Sequence, residues 1–138
     1  MPIYQNTEEL NQVMLNLWQD IRDNDKIAKS LIESKLIVQF NYSDPAGILT
    51  LDCSDGSNCH ISVGDTTVKP TIQMSMKADT AHEFWMGRIN VPMALLMGKI
   101  VSRGPTARAL KLLPIIKSAF ALYPQVLKKM GKEKLLTK

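Results

Sequence analysis

Residues 79–104 read DTAHEFWMGRINVPMALLMGKIVSRG, and the order of breaks within them decides how the chain folds. Thr80 and Glu83 have the spacing of a capping box, in which hydroxyl and carboxylate each satisfy an orphan backbone N–H, so a helix is expected to start there. Phe84 and Trp85 are its large apolar pair, expected to be buried, and Gly87 supplies the left-handed residue on which helices commonly end. Asn90 caps a second helix, with Val91 and Pro92 in its first turn, where a missing N–H costs nothing. Met93, Leu95, Leu96 and Met97 follow before Gly98 stops it. A helix that is apolar on nearly every side has to be buried or has to face a cavity. Lys99–Arg103, with the β-branched pair Ile100 and Val101 between two glycines, then reads as a short strand.

Downstream of Gly104 the pattern is helical. Ala109, Leu112, Leu113, Ile116, Phe120 and Tyr123 share one stripe, and Lys111 and Lys117 lie off it. Pro114 sits inside this pattern, where it removes a backbone bond and should kink or restart the helix. Pro124 is expected to end it. Val126, Leu127 and Met130 make another short amphipathic turn, and residues 131–138 are expected to fray.

Upstream the period is 2. Leu36, Val38, Phe40 and Tyr42 fall on one face and Ile37, Gln39 and Asn41 on the other, which marks a strand. Asp44-Pro45-Ala46-Gly47 is a turn by residue type. Leu49, Leu51 and Cys53, then Cys59, Ile61 and Val63, form the arms of a hairpin about residues 54–58, and residues 72–76 alternate again. Before the strands, Thr7 is expected to cap a helix with Glu8 and Glu9 in its first turn, favourable beside the positive end of the dipole. Leu10, Val13, Met14, Leu17, Trp18 and Ile21 recur at helical spacing, and Trp18 is expected to anchor the core. Ile27, Ala28, Leu31 and Ile32 suggest a second short helix. Five strands, mostly antiparallel, with one apolar face to be covered by helices, give an α+β two-layer domain spanning residues 1–138.

The ordered set Trp85, Gly87, Ala94, Met97, Gly98, Lys99 and Gly104, following two helices and four strands, resembles the sterol carrier protein type 2 family over roughly residues 10 to 125. The resemblance implies an elongated apolar tunnel between the sheet and its helices. It would place Met76, Phe84, Met93, Leu96 and Met97 toward that tunnel, with Leu112, Ile116 and Phe120 on its closing side. These eight residues are the expected lipid-binding set. Met74, Met76, Met86, Met93 and Met97 add the side chain best suited to irregular apolar shapes.

Composition limits the other readings. With 45% hydrophobic and 22% charged residues, this is the composition of an ordinary soluble globular domain. No apolar run approaches the roughly 18 residues of a membrane span, and residues 1–10 lack the pattern of a signal peptide, so the cytoplasm is the expected compartment. The chain does not end in Ser-Lys-Leu, the peroxisomal address. A net charge of +4 favours anionic surfaces, and Lys128, Lys129, Lys132 and Lys134 are the cations expected to meet a membrane transiently. His60 and His82 are expected on the surface. Cys53 and Cys59 flank a hairpin turn, a spacing that can bring them face to face; without an export signal, two reduced thiols are the expectation. Cys59-His60 falls short of a metal site, the turn glycines do not form a phosphate loop, and the basic residues match no nucleic-acid motif. No cofactor is implied and no catalytic constellation appears, so an enzyme ranks last. The leading expectation is a carrier of fatty acyl, phospholipid or sterol-like ligands that does not transform them. The alternative is a regulatory or interaction module that offers an apolar groove to a partner. The sequence leaves the oligomeric state open.

Overall fold

The computed structural model describes residues 2–138. Asn6, not Thr7, opens the first helix: its side-chain oxygen accepts from the Glu9 amide at 2.9 Å, and α1 runs Thr7–Arg22. Its inward stripe is Leu10, Val13, Met14, Leu17, Trp18 and Ile21, as the period requires, and α2 follows at Asp25–Ser34. The strands are β1 (Ile37–Ser43), β2 (Gly47–Asp52), β3 (His60–Val63), β4 (Ile72–Lys77) and β5 (Ile100–Arg103). They form one sheet in the order β3-β2-β1-β4-β5. Every neighbouring pair is antiparallel except β1 and β4, which run parallel with Val38 opposite Ile72. Residues 64–71 make this possible by carrying the chain from one edge of the sheet across β2 and β1. One face of the sheet is covered by helices, and the domain is α+β.

Strand β4 runs directly into α3 (Ala78–Trp85), so the helix begins two residues before Thr80 and the capping box is not made. Lys77 stands at the cap position without a side-chain bond, and Asp79 instead accepts from the Ile3 amide at 2.9 Å. At the i, i+3, i+4, i+7 spacing, Ala78, Ala81, His82 and Trp85 share its inner face. His82 is therefore buried, contrary to its expected place on the surface. Its Nδ1 lies 2.6 Å from the Tyr123 hydroxyl, which lies 2.6 Å from the Tyr4 hydroxyl. This buried chain ties the amino terminus, α3 and the carboxyl-terminal helices together.

Asn90 caps α4 (Val91–Leu96) as expected, accepting from the Met93 amide at 3.0 Å. Gly87 and Gly98 both have φ of +76°, the left-handed conformation that ends α3 and α4. The expected final helix is divided into α5 (Thr106–Leu110), α6 (Leu113–Lys117) and α7 (Leu122–Lys129). Pro114 restarts the chain in the first turn of α6, and Pro124 lies in the first turn of α7 rather than at its end. The tail expected to fray forms a 3-10 turn, Glu133–Thr137, because Leu135 has a buried site to fill. Lys132 reaches Glu9 at 2.9 Å, and the Lys138 carbonyl accepts from Arg88 at 3.1 Å.

Cys53 and Cys59 are joined in a disulfide, which overturns the expectation of two reduced thiols. The cause is register: Asp52 pairs with His60, so the next two positions outward are Cys53 and Cys59, with Cα atoms 4.1 Å apart.

Burial lowers the pKa of His82 below the ordinary value, holding the imidazole neutral in the folded protein. The unfolded chain, with an imidazole pKa near the usual value of about 6.5, then binds more protons than the native state as the pH falls. Stability is present above that value and lost on acidification. Urea midpoints should drop between pH 7.5 and pH 5 in the wild type and drop less in His82→Gln; an equal drop in both would assign the acid sensitivity to other groups.

Candidate functional site

The alternation of the strands puts Val38, Phe40 and Tyr42 of β1 and Met74 and Met76 of β4 on the covered face. The helices above do not fill the space over them. A cavity of about 110 Å³ remains, closed by Trp18 of α1, Ala81, Phe84 and Trp85 of α3, Val91 and Leu95 of α4, and Leu112, Leu113 and Ile116 near and within α6. Aromatic rings form one wall. Trp18 stacks on Phe40 with centroids 5.6 Å apart and meets Trp85 edge-on at the same separation.

Among the described residues, the lining carries no carboxylate, amine or imidazole. Its polar side-chain atoms are the Tyr42 hydroxyl and the two indole nitrogens; that of Trp18 is buried without a hydrogen-bond partner. Burial raises the Tyr42 pKa, so the phenol is neutral throughout the physiological range. Such a space accepts hydrocarbon and rejects water and ions. A dry apolar cavity of roughly 150 Å³ can hold a benzene ring, so this one would admit a longer hydrocarbon only if its walls gave way. Met74 and Met76 are adaptable, and α4, α5 and α6 have six, five and five residues, too few to hold themselves rigid.

Four of the eight expected lipid-binding residues line the cavity: Met76, Phe84, Leu112 and Ile116. Phe120 stands behind them, edge-on to Phe84 at 5.1 Å and to Trp85 at 5.8 Å. Met93, Leu96 and Met97 face outward, 50%, 81% and 64% exposed, contrary to the expectation that α4 is buried or cavity-facing on all sides. The inward positions of this helix go to Val91, Ala94 and Leu95, at the i, i+3, i+4 spacing, and Met93, Leu96 and Met97 occupy the opposite side. Phe40, Tyr42 and Met74 were missed as lining residues, although their period-2 pattern had assigned them to the apolar face.

The remaining candidates lie elsewhere. His60 is exposed and 2.8 Å from Asp55, in the hairpin far along the sheet from β5. Of the four tail lysines, Lys129 is paired with Asp20 and Lys132 with Glu9, both at 2.9 Å. Among the described residues, no group of three or more His, Cys, Asp or Glu side chains is placed to hold a metal ion, and no helix is long and apolar enough to cross a membrane.

The sequence profile of the SCP-2 sterol transfer family matches residues 15–117, and the chain belongs to that family. Among solved structures it is similar to sterol carrier protein 2 of Yarrowia lipolytica in its apo form, at 16% identity over 78% of this chain and 86% of that one, with a TM-score of 0.59. The sterol carrier protein domain 2 of Helicoverpa armigera matches at 17% identity over 80% and 87%, with a TM-score of 0.61. The stereoselective inverting sec-alkylsulfatase Pisa1 of Pseudomonas sp. shares the fold at 14% identity and a TM-score of 0.53, over 62% of this chain but 13% of that enzyme. No curated protein matches in sequence.

The two sides of the site should respond differently to truncation. Met76→Ala, at a half-buried position that already faces the cavity, should cost about 1–3 kcal/mol, whereas Met97→Ala, on the exposed face, should stay within about 0.5 kcal/mol of wild type. Urea unfolding of the two variants measures this; equal losses would mean that α4 is packed against something on its outer side.

Proposed function

We propose that the protein is a lipid carrier, taking up fatty acyl, phospholipid or sterol-like molecules in the cavity and releasing them unchanged. The observation that carries this reading is the continuous apolar lining between sheet and helices, free of charged groups, in a member of the SCP-2 family. Removal of methylenes from water supplies the affinity. At about 0.8 kcal/mol each, fifteen give about 12 kcal/mol, and after an association cost of about 4 kcal/mol the remainder corresponds to about micromolar binding. Selectivity among chains should be loose, because apolar contact discriminates weakly and the methionines in the wall adapt.

Release without chemical change is supported by the lining itself. Its one ionisable group, Tyr42, is held neutral, and the buried His82–Tyr123–Tyr4 chain does not contribute to the wall.

Titration with a fluorescent long-chain fatty acid should saturate at one site per chain and be reversed by unlabelled acyl-CoA or lysophospholipid. Leu112→Trp, which fills the space, should weaken binding at least tenfold, and lipid extracted afterwards should keep its original mass. Absence of saturable binding across these lipid classes would sink the carrier reading.

A further inference from the structure

Helix α4 separates the cavity from solvent by one layer of side chains. Val91 and Leu95 line the cavity, while Met93, Leu96 and Met97 on the opposite side are 50%, 81% and 64% exposed. Large apolar side chains gathered on one short exposed element mark an interaction surface. Charge indicates the partner. From Phe84 to Lys132 the chain carries nine basic residues and no acidic one, although it has 13 acidic residues in all.

Three of those cations bracket α4. Arg88 and Lys117 border an open depression beside its amino end, together with Asn90 and Pro92. Lys99 is exposed at the carboxyl end, where its amide donates to the Ala94 carbonyl at 2.9 Å and so fixes it against the helix. Arg88 is partly occupied by Glu83 at 3.2 Å. Lys99 and Lys117 are in no ion pair among the described residues.

We propose that α4 docks the protein on anionic phospholipid bilayers, with Met93, Leu96 and Met97 entering the interface and Lys99 and Lys117 meeting the headgroups. Apolar side chains ringed by cations suit the boundary between acyl chains and anionic headgroups. A stable protein partner needs roughly 800 Å² per side, far more than three side chains provide. The location also suits delivery: Val91 and Leu113 border both the cavity and the outer depression, so a lipid passing between α4 and α6 would emerge at the docked surface. Only that last point rests on the carrier reading; exposure and charge stand apart from it.

The test is co-sedimentation at low salt with vesicles of phosphatidylcholine alone or mixed with phosphatidylglycerol. Wild-type protein should bind the mixed vesicles and lose them at high salt. A lysine near an acidic surface contributes about fivefold, so Lys99→Glu with Lys117→Glu should weaken binding at least about 25-fold. Lys128→Glu with Lys134→Glu should change it by less than the α4 pair does. In Leu96→Trp, indole emission should shift to the blue on the mixed vesicles, against a constant background from Trp18 and Trp85, each 4% exposed. Fatty-acid titration of the same variants reads the cavity separately, so its failure in wild type would overturn the carrier reading and leave docking standing. The proposal is overturned by any of four results: no vesicle binding, an unshifted Trp at 96, loss of binding with the tail variant in place of the α4 variant, or self-association of wild type through α4 without vesicle binding.

Discussion

The inner face of the sheet cannot be left in water. Val38, Phe40, Tyr42, Leu51, Met74 and Met76 stand side by side on it, and the parallel contact of β1 with β4 makes the apolar strip continuous. The chain covers that strip in two ways. Over one part lies α1, 16 residues long, whose inward stripe is at most 4% exposed. Over the other lie α4, α5 and α6, none longer than six residues, and α5 and α6 bury no residue fully. A helix of five or six residues has little stability of its own and stays in place through what it packs on. The cavity exists where the cover is made of short pieces, so the same division explains why space remains and why its walls can yield.

Beside the cavity, the interior is closed by polar bonds. Tyr4, Tyr123 and His82 share two bonds of 2.6 Å in the interior, and burial raises both phenol pKa values while lowering that of the imidazole. Three neutral groups in a low-dielectric setting hold one another firmly, at the expense of leaving the second ring nitrogen of His82 without a partner. Nearby, partial burial of Glu9 would raise its pKa, but the Gln5 amide and Lys132 outweigh this and hold the carboxylate ionised. That pairing, with Lys129 on Asp20, turns two of the tail lysines toward the fold itself.

What could be read from the sequence was whatever depends on a single period or a single backbone need. The α1 stripe, the alternation at Val38, Phe40 and Tyr42, and the stops at Gly87 and Gly98 are local and came out as expected. Phase was harder. Thr80 and Glu83 have capping spacing, yet a strand that leads directly into a helix needs no loop and sets the start itself; His82, three residues before the buried Trp85, shares its face wherever the helix begins. In α4 both sides are apolar, so periodicity could not say which side faces in, and three of the eight expected residues, Met93, Leu96 and Met97, lie on its outer side. The disulfide depended on a strand register that emerges only when β2 and β3 are paired. Leu135 joins the main core cluster and the turn that carries it packs on α7, while Lys132 reaches back to Glu9, and nothing within the tail announces this.

The Tyr4–Tyr123 bond joins residues 119 positions apart, and its geometry bears on how the chain is made. On the ribosome, β1 to β4 and α3 can form once Trp85 has emerged, while the short-helix cover of the apolar strip has still to leave the exit tunnel. At about 5–20 residues per second, reaching Tyr123 takes roughly 2 to 8 seconds more. For that interval the nascent chain presents its future cavity as an open apolar surface, the stage at which it is most exposed to aggregation.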